Sequence, residues 1–80
     1  EYTDVYFLRG GAYFKKGDFA KSTQDYTDDI KLNPKNGTTY YDRGLAYLKL
    51  GNNSWACDDF KMAKKLGSEE ARKMVMDYCR

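Results

Sequence analysis

Sliding this 80-residue sequence on itself by 34 positions brings Tyr6 onto Tyr40, Arg9 onto Arg43, Gly10 onto Gly44, Ala12 onto Ala46, Tyr13 onto Tyr47, Lys15 onto Lys49 and Gly17 onto Gly51. Further along, Asp25 meets Asp59, Lys31 meets Lys65 and Leu32 meets Leu66, with Tyr26 opposite Phe60 and Ser22 opposite Ala56. Such a period means one structural unit used twice, each copy burying the faces the other cannot bury alone. A chain this short hides only about 60% of the surface it exposes when unfolded, so its core must be thin and repetitive.

Each unit reads as two helices. Tyr6, Gly10, Tyr13 and Phe14 keep the three-and-four spacing of one helical face, and Gly17-Asp18 supplies a helix stop followed by a new N-cap. Gly51-Asn52 repeats that signal. Phe19, Ser22, Thr23, Tyr26 and Ile30 mark a second helix, which must end before Asn33-Pro34 because proline disfavours helix in the residue ahead of it. After Gly67, Ser68 caps a fifth segment with Glu69 and Glu70 in its first turn, where negative charge suits the helix dipole, and Ala71, Met74, Val75 and Tyr78 as its apolar stripe. Helices are expected over 3–16, 19–32, 37–50, 53–66 and 68–79. Tyr6, Tyr13, Tyr26, Tyr40, Tyr47 and Phe60 are expected in the core, with glycines and alanines between them for close approach.

An aromatic, a small residue, Ala-Tyr, then Gly-Asp or Gly-Asn and a closing Asn-Pro in a 34-residue unit resembles the tetratricopeptide repeat. The resemblance covers residues 3–36 and 37–70, and residues 68–79 resemble the helix that commonly closes such arrays. It implies one all-α domain over 1–80, a right-handed α-solenoid of antiparallel helix pairs with five helices. Arg9, Arg43, Asp29, Asn53 and Gly67-Ser68 depart from the family pattern.

Chemistry finds little foothold. Histidine is absent, which removes the commonest general base and metal ligand; Ser22, Ser54 and Ser68 have nothing to activate them, and Asp28 and Asp29 point about 100° apart on a helix. No enzyme, metal or cofactor is expected. Fourteen Lys and Arg against twelve Asp and Glu leave an evenly spread excess, and Lys61, Lys64 and Lys65 read as a solvated face, not a nucleic-acid patch. No apolar run approaches the roughly 18 residues of a membrane span, and Glu1-Tyr2-Thr3-Asp4 lacks the basic start of a signal peptide, so a cytoplasmic chain with no membrane partner is expected. Lacking an initiator methionine and ending on Cys79-Arg80, the sequence looks like a piece of a longer protein. The sequons Asn36-Gly37-Thr38 and Asn52-Asn53-Ser54 fall in turns and read as turn and cap residues.

Arg9 and Asp25 each stand eight residues from Gly17, as Arg43 and Asp59 do from Gly51, so in antiparallel helices each pair meets at one level as an ion pair. Cys57 and Cys79 stand at similar heights on neighbouring helices, but a chain without a secretory signal is expected to keep its thiols free.

The resemblance further implies that the first helix of each unit lines a concave groove for a peptide or partner helix. On that face Asp4, Phe7, Leu8, Gly11, Phe14 and Lys15 are followed by Thr38, Tyr41, Asp42, Leu45, Leu48 and Lys49, then by Arg72, Val75, Met76 and Cys79. Peptide or partner contact is expected at Phe7, Gly11, Phe14, Lys15, Tyr41, Leu45, Leu48, Lys49 and Arg72, with Phe7, Phe14, Tyr41 and Leu45 as an exposed apolar strip. Family members that clamp a chaperone's C-terminal carboxylate place Lys and Asn, then Asn, then Lys and Arg where this chain has Phe7 and Gly11, Asp42, and Arg72 and Met76. Only Arg72 fits, so a chaperone-tail clamp is not expected. A non-catalytic protein-binding module is the expected function, with self-association into a structural assembly as the alternative.

Overall fold

The computed structural model describes residues 3–79, with side chains described from Val5 to Cys79. Asp4, expected on the groove face, lies outside the described side chains. Among the described residues there are five helices and no strand: α1 (Thr3–Lys16), α2 (Phe19–Leu32), α3 (Gly37–Lys49), α4 (Asn53–Lys65) and α5 (Glu69–Tyr78). Each helix packs chiefly on its neighbour in sequence, as a stack of helix pairs requires.

The turns follow from local chemistry. Gly17, Gly51 and Gly67 sit at φ 84°, 82° and 101°, the left-handed region that ends a helix without Cβ strain. One residue later, Asp18, Asn52 and Ser68 each donate a backbone N–H back across the last turn, to Tyr13, Tyr47 and Ala63, all at 2.9 Å. Their side chains then accept from the first turn of the next helix, at Lys21, Trp55 and Ala71. The same three residues thus close one helix and open the next.

Packing repeats with the sequence. The Tyr26 ring lies over Gly10 and the Phe60 ring over Gly44, so close that a Cβ there would stand 2.8 Å and 2.6 Å from them. Phe60, Ala46, Ala56, Ala63 and Ala71 are fully buried. Tyr6, Tyr13, Tyr40 and Tyr47, expected in the core, are only half-buried. Their rings sit at its border beneath cations, with Arg9 5.7 Å from Tyr6, Lys21 5.5 Å from Tyr13, and Arg43 5.8 and 5.5 Å from Tyr40 and Tyr47. A phenol packs its ring while its hydroxyl stays in water, which favours that border.

Both expected ion pairs form. Arg9 donates to Asp25 through two nitrogens at 2.8 Å, and Arg43 to Asp59 through two at 2.7 Å. Arg43 also reaches the Thr27 hydroxyl of the first unit at 3.0 Å, tying the two units together. The Asp59 hydrogen bond holds the Arg43 guanidinium above its ordinary pKa against the opposing effect of burial. Asp59 is pulled both ways, since burial lifts its carboxyl while Arg43 lowers it. Two short bonds to a fixed guanidinium make the ion pair the state we assign. Asp29, a departure from the family pattern, is buried and accepts from the Thr39 hydroxyl at 2.7 Å.

The free thiols expected from the sequence do not occur. Cys57 and Cys79 are joined in a disulfide, their Cα atoms 5.5 Å apart, which pins the end of α5 to α4. Matching heights on two packed helices were legible in the sequence; the lateral approach that brings the backbones within bonding range was not. With 22 residues of sequence separation, the bond is expected to contribute about 3 kcal/mol by restricting the unfolded chain. Guanidinium unfolding with and without reductant measures it, and an unchanged midpoint would show that α5 needs no staple.

Candidate functional site: the hollow between α1 and α3

Helices α1 and α3 face one another across a gap floored by α2. Two adjoining cavities fill it, one of about 320 Å3 bordered by Phe7, Leu8 and Ala12, the other of about 190 Å3 bordered by Phe14 and Leu45. Gly11, Lys15, Tyr26 and Asp42 line both, so the two form one continuous hollow. Gly11 matters by what it lacks: a Cβ there would meet the Tyr26 hydroxyl at 3.7 Å, ordinary contact, whereas one at Gly10 would strike the same ring. Gly10 serves packing, and Gly11 keeps the hollow open.

The structure therefore brings Phe7, Gly11, Phe14, Lys15 and Leu45 together. It does not bring the other expected residues to this hollow. Tyr41 and Leu48 pack against the Phe60 cluster, and Lys49 and Arg72 stand exposed elsewhere. The expected exposed strip is likewise corrected. Phe7, Phe14, Tyr41 and Leu45 are half-buried, with Phe14 held edge-on by Phe19 at 5.1 Å and Phe7 tilted against Tyr26 at 5.9 Å, while Leu8 is 68% exposed. Charged replacements of Phe14 or Leu45 would disturb packing as well as the hollow. The sequence places Tyr26 in the core, yet its hydroxyl end also floors the hollow. The signal for that was the glycine at position 11 beside the one the ring needs.

The lining of the hollow carries one carboxylate, Asp42, and one ammonium, Lys15. Burial, then the nearby Glu70 carboxylate, lifts Asp42 from its ordinary 3.8 to about 6. Burial first and the Asp42 charge second push the Tyr26 phenol up to about 12. Tyr41 is raised by burial, with Glu70 and Asp42 adding to it. Because the folded-state pKa of Asp42 lies above its unfolded value, the native chain binds the proton more tightly, and stability falls as pH rises from about 4 to about 6. Full linkage over that interval is about 3 kcal/mol, and screening at a half-exposed carboxylate reduces it to about 1 kcal/mol. Asp42→Asn is thus expected to stabilise the chain by about 1 kcal/mol at neutral pH and not at all below about pH 4. Thermal unfolding across that range checks it, and a loss at neutral pH would show that the carboxylate is favourably held.

Another cavity of about 320 Å3 lies between α2 and the α3–α4 turn, lined in part by Thr23, Thr27, Tyr47, Leu50 and Trp55. Trp55 is 56% exposed, with its ring edge-on to Tyr47 at 5.4 Å. Among the described residues no group of His, Cys, Asp or Glu could hold a metal ion, and no helix is long and apolar enough to cross a membrane.

Comparison with known proteins agrees with this architecture. Stress-induced-phosphoprotein 1 of Caenorhabditis elegans is 33% identical over 61 residues, which is 76% of this chain and 19% of that protein. Hsp70-Hsp90 organizing protein 1 of Glycine max is 40% identical over 43 residues, 54% of this chain and 8% of that protein. The chain spans about a fifth or less of the length of these curated relatives. Among solved structures, the first TPR of Spaghetti (RPAP3) bound to the HSP90 peptide SRMEEVD superimposes with a TM-score of 0.78 at 28% identity, over 81% of this chain and 53% of that one. The TPR repeat model matches residues 10–51, more than half of the chain, spanning the very glycine positions on which the Tyr26 and Phe60 rings rest. Repeated helix pair, repeated ring-on-glycine contact and family match coincide, and the chain belongs to the TPR repeat family.

Proposed function

We propose that this chain is a non-catalytic protein-interaction module that holds a peptide in the hollow between α1 and α3. The observation that carries the reading is that hollow's continuity, kept open by Gly11 and walled by Phe7, Leu8, Phe14 and Leu45. The structural neighbour that carries an HSP90 peptide supports it as an analogue. Apolar walls give a peptide its anchoring contacts, and Lys15 supplies a polar rim. The test is Gly11→Gln, which fills the hollow from a position with room for a side chain. Replacing a mid-helix glycine by a good helix former should leave stability unchanged or raise it by up to about 1 kcal/mol. Peptides selected on the parent chain should bind the variant at least about tenfold more weakly, and equal binding would move the site elsewhere.

A specific observation favours assembly as a second reading. Val5 and Leu8 are 51% and 68% exposed and Ala12 is exposed, whereas Thr39 and Ala46, their 34-residue counterparts to Val5 and Ala12, are fully buried under α2. A helix packed on α1 as α2 packs on α3 would cover that stripe, and a light-scattering mass that rises with concentration is its signature. The disulfide favours an oxidising compartment over the expected cytoplasm.

A further inference from the structure

The other buried and half-buried carboxylates described in this protein all have a partner. Asp25 and Asp59 hold arginines, Asp29 accepts from Thr39, Asp18 caps α2 beside Lys21, and Asp28 lies near Lys31. Asp42 is the exception. It is half-buried where the two cavities meet, and among the described residues it makes no ion pair and no hydrogen bond. The repeat does not need a carboxylate there, since the 34-residue counterpart is Leu8. The acidic group that influences it is Glu70, which repels it, and Lys15 lines the same hollow from α1 without pairing with it.

Resting on the reading of this hollow as a peptide site, we infer that its ligand is a peptide whose lysine or arginine side chain seats on Asp42, flanked on both sides by apolar side chains. A carboxylate partly withdrawn from water gains most from an ammonium or guanidinium delivered by the ligand, because the pair then replaces hydration already lost. The apolar walls lie on either side of Asp42, Phe7 and Leu8 in one direction and Phe14 and Leu45 in the other, which sets the order apolar, basic, apolar. An acidic peptide such as SRMEEVD, carried by the structural neighbour, would bring like charge to Asp42.

The experiment is selection of a random peptide library on the immobilised 80-residue chain near neutral pH, followed by titration of the enriched peptides and of SRMEEVD. Enriched sequences are expected to carry Lys or Arg between apolar residues. They should lose about tenfold or more in affinity on Asp42→Asn and a similar factor when the basic residue is replaced by methionine. SRMEEVD should bind more weakly than any of them. Enrichment of acidic peptides, tighter binding of SRMEEVD, or unchanged affinity on Asp42→Asn overturns the inference while leaving the hollow as the site. Failure to enrich any peptide, or enriched peptides that still bind Gly11→Gln, removes the hollow as the site and the inference with it. Circular dichroism of Asp42→Asn and of Asp42→Leu, which restores the apolar type found at Leu8, separates lost binding from lost fold.

Discussion

Phe60→Ala is expected to destabilise the chain by about 3–5 kcal/mol, against a total stability of about 4–12 kcal/mol for a domain of this size. Phe60 is fully buried, lies tilted against Tyr41 with ring centroids 5.8 Å apart, and joins Ala56, Ala63 and Ala71 in the cluster on which α3, α4 and α5 converge. Its ring also fills the space above Gly44, so the two positions are energetically coupled. Gly44→Ala alone should destabilise, because the added Cβ meets a ring held on every side. In the Phe60→Ala background the same change should be neutral or stabilising by up to about 1 kcal/mol, as helix propensity alone predicts. Urea unfolding of the four proteins measures the coupling. Additive effects would mean that the ring does not need the glycine.

Asp59→Ala should cost about 3–5 kcal/mol, because it strands a guanidinium in surroundings that keep its side chain only 17% exposed. Arg43 would keep its bond to Thr27 and its place between Tyr40 and Tyr47, none of which carries a negative charge. The repeat supplies an internal control: Asp25→Ala leaves Arg9, whose side chain is 52% exposed, free to turn into water, and should cost only about 1.5 kcal/mol. Replacing both Arg43 and Asp59 by Met and Leu should recover most of the loss, since neither charge is then left buried. A denaturant midpoint for Asp25→Ala at or below that of Asp59→Ala would show that exposure of the arginine does not set the cost.

Helix order and turn positions were legible in the sequence nearly to the residue. They are set by contacts within a few positions: glycine at a left-handed turn, a cap one residue later, apolar side chains every three or four residues. Even the Arg–Asp pairs were legible, since equal distance from a turn fixes equal height on antiparallel helices. The hollow was legible only in part. Phe7, Gly11, Phe14, Lys15 and Leu45 do line it, but the phase of a helix names a face and not how deeply that face is covered. For that reason helix phase puts Tyr41 and Leu48 on the ligand's side although they pack on the Phe60 cluster, and puts the four border tyrosines in the core although they are half-buried.

By itself, then, the sequence determined the repeating unit, its helices and their order, because those follow from short-range geometry written twice at a spacing of 34 residues. Only the tertiary structure decided what depends on lateral approach between helices. That approach brings Cys57 and Cys79 into a disulfide, lays Asp29 against Thr39, and leaves Asp42 without a partner at the centre of the hollow. Each of these turns on a few ångströms between side chains on different helices, a distance that no periodicity along one helix encodes.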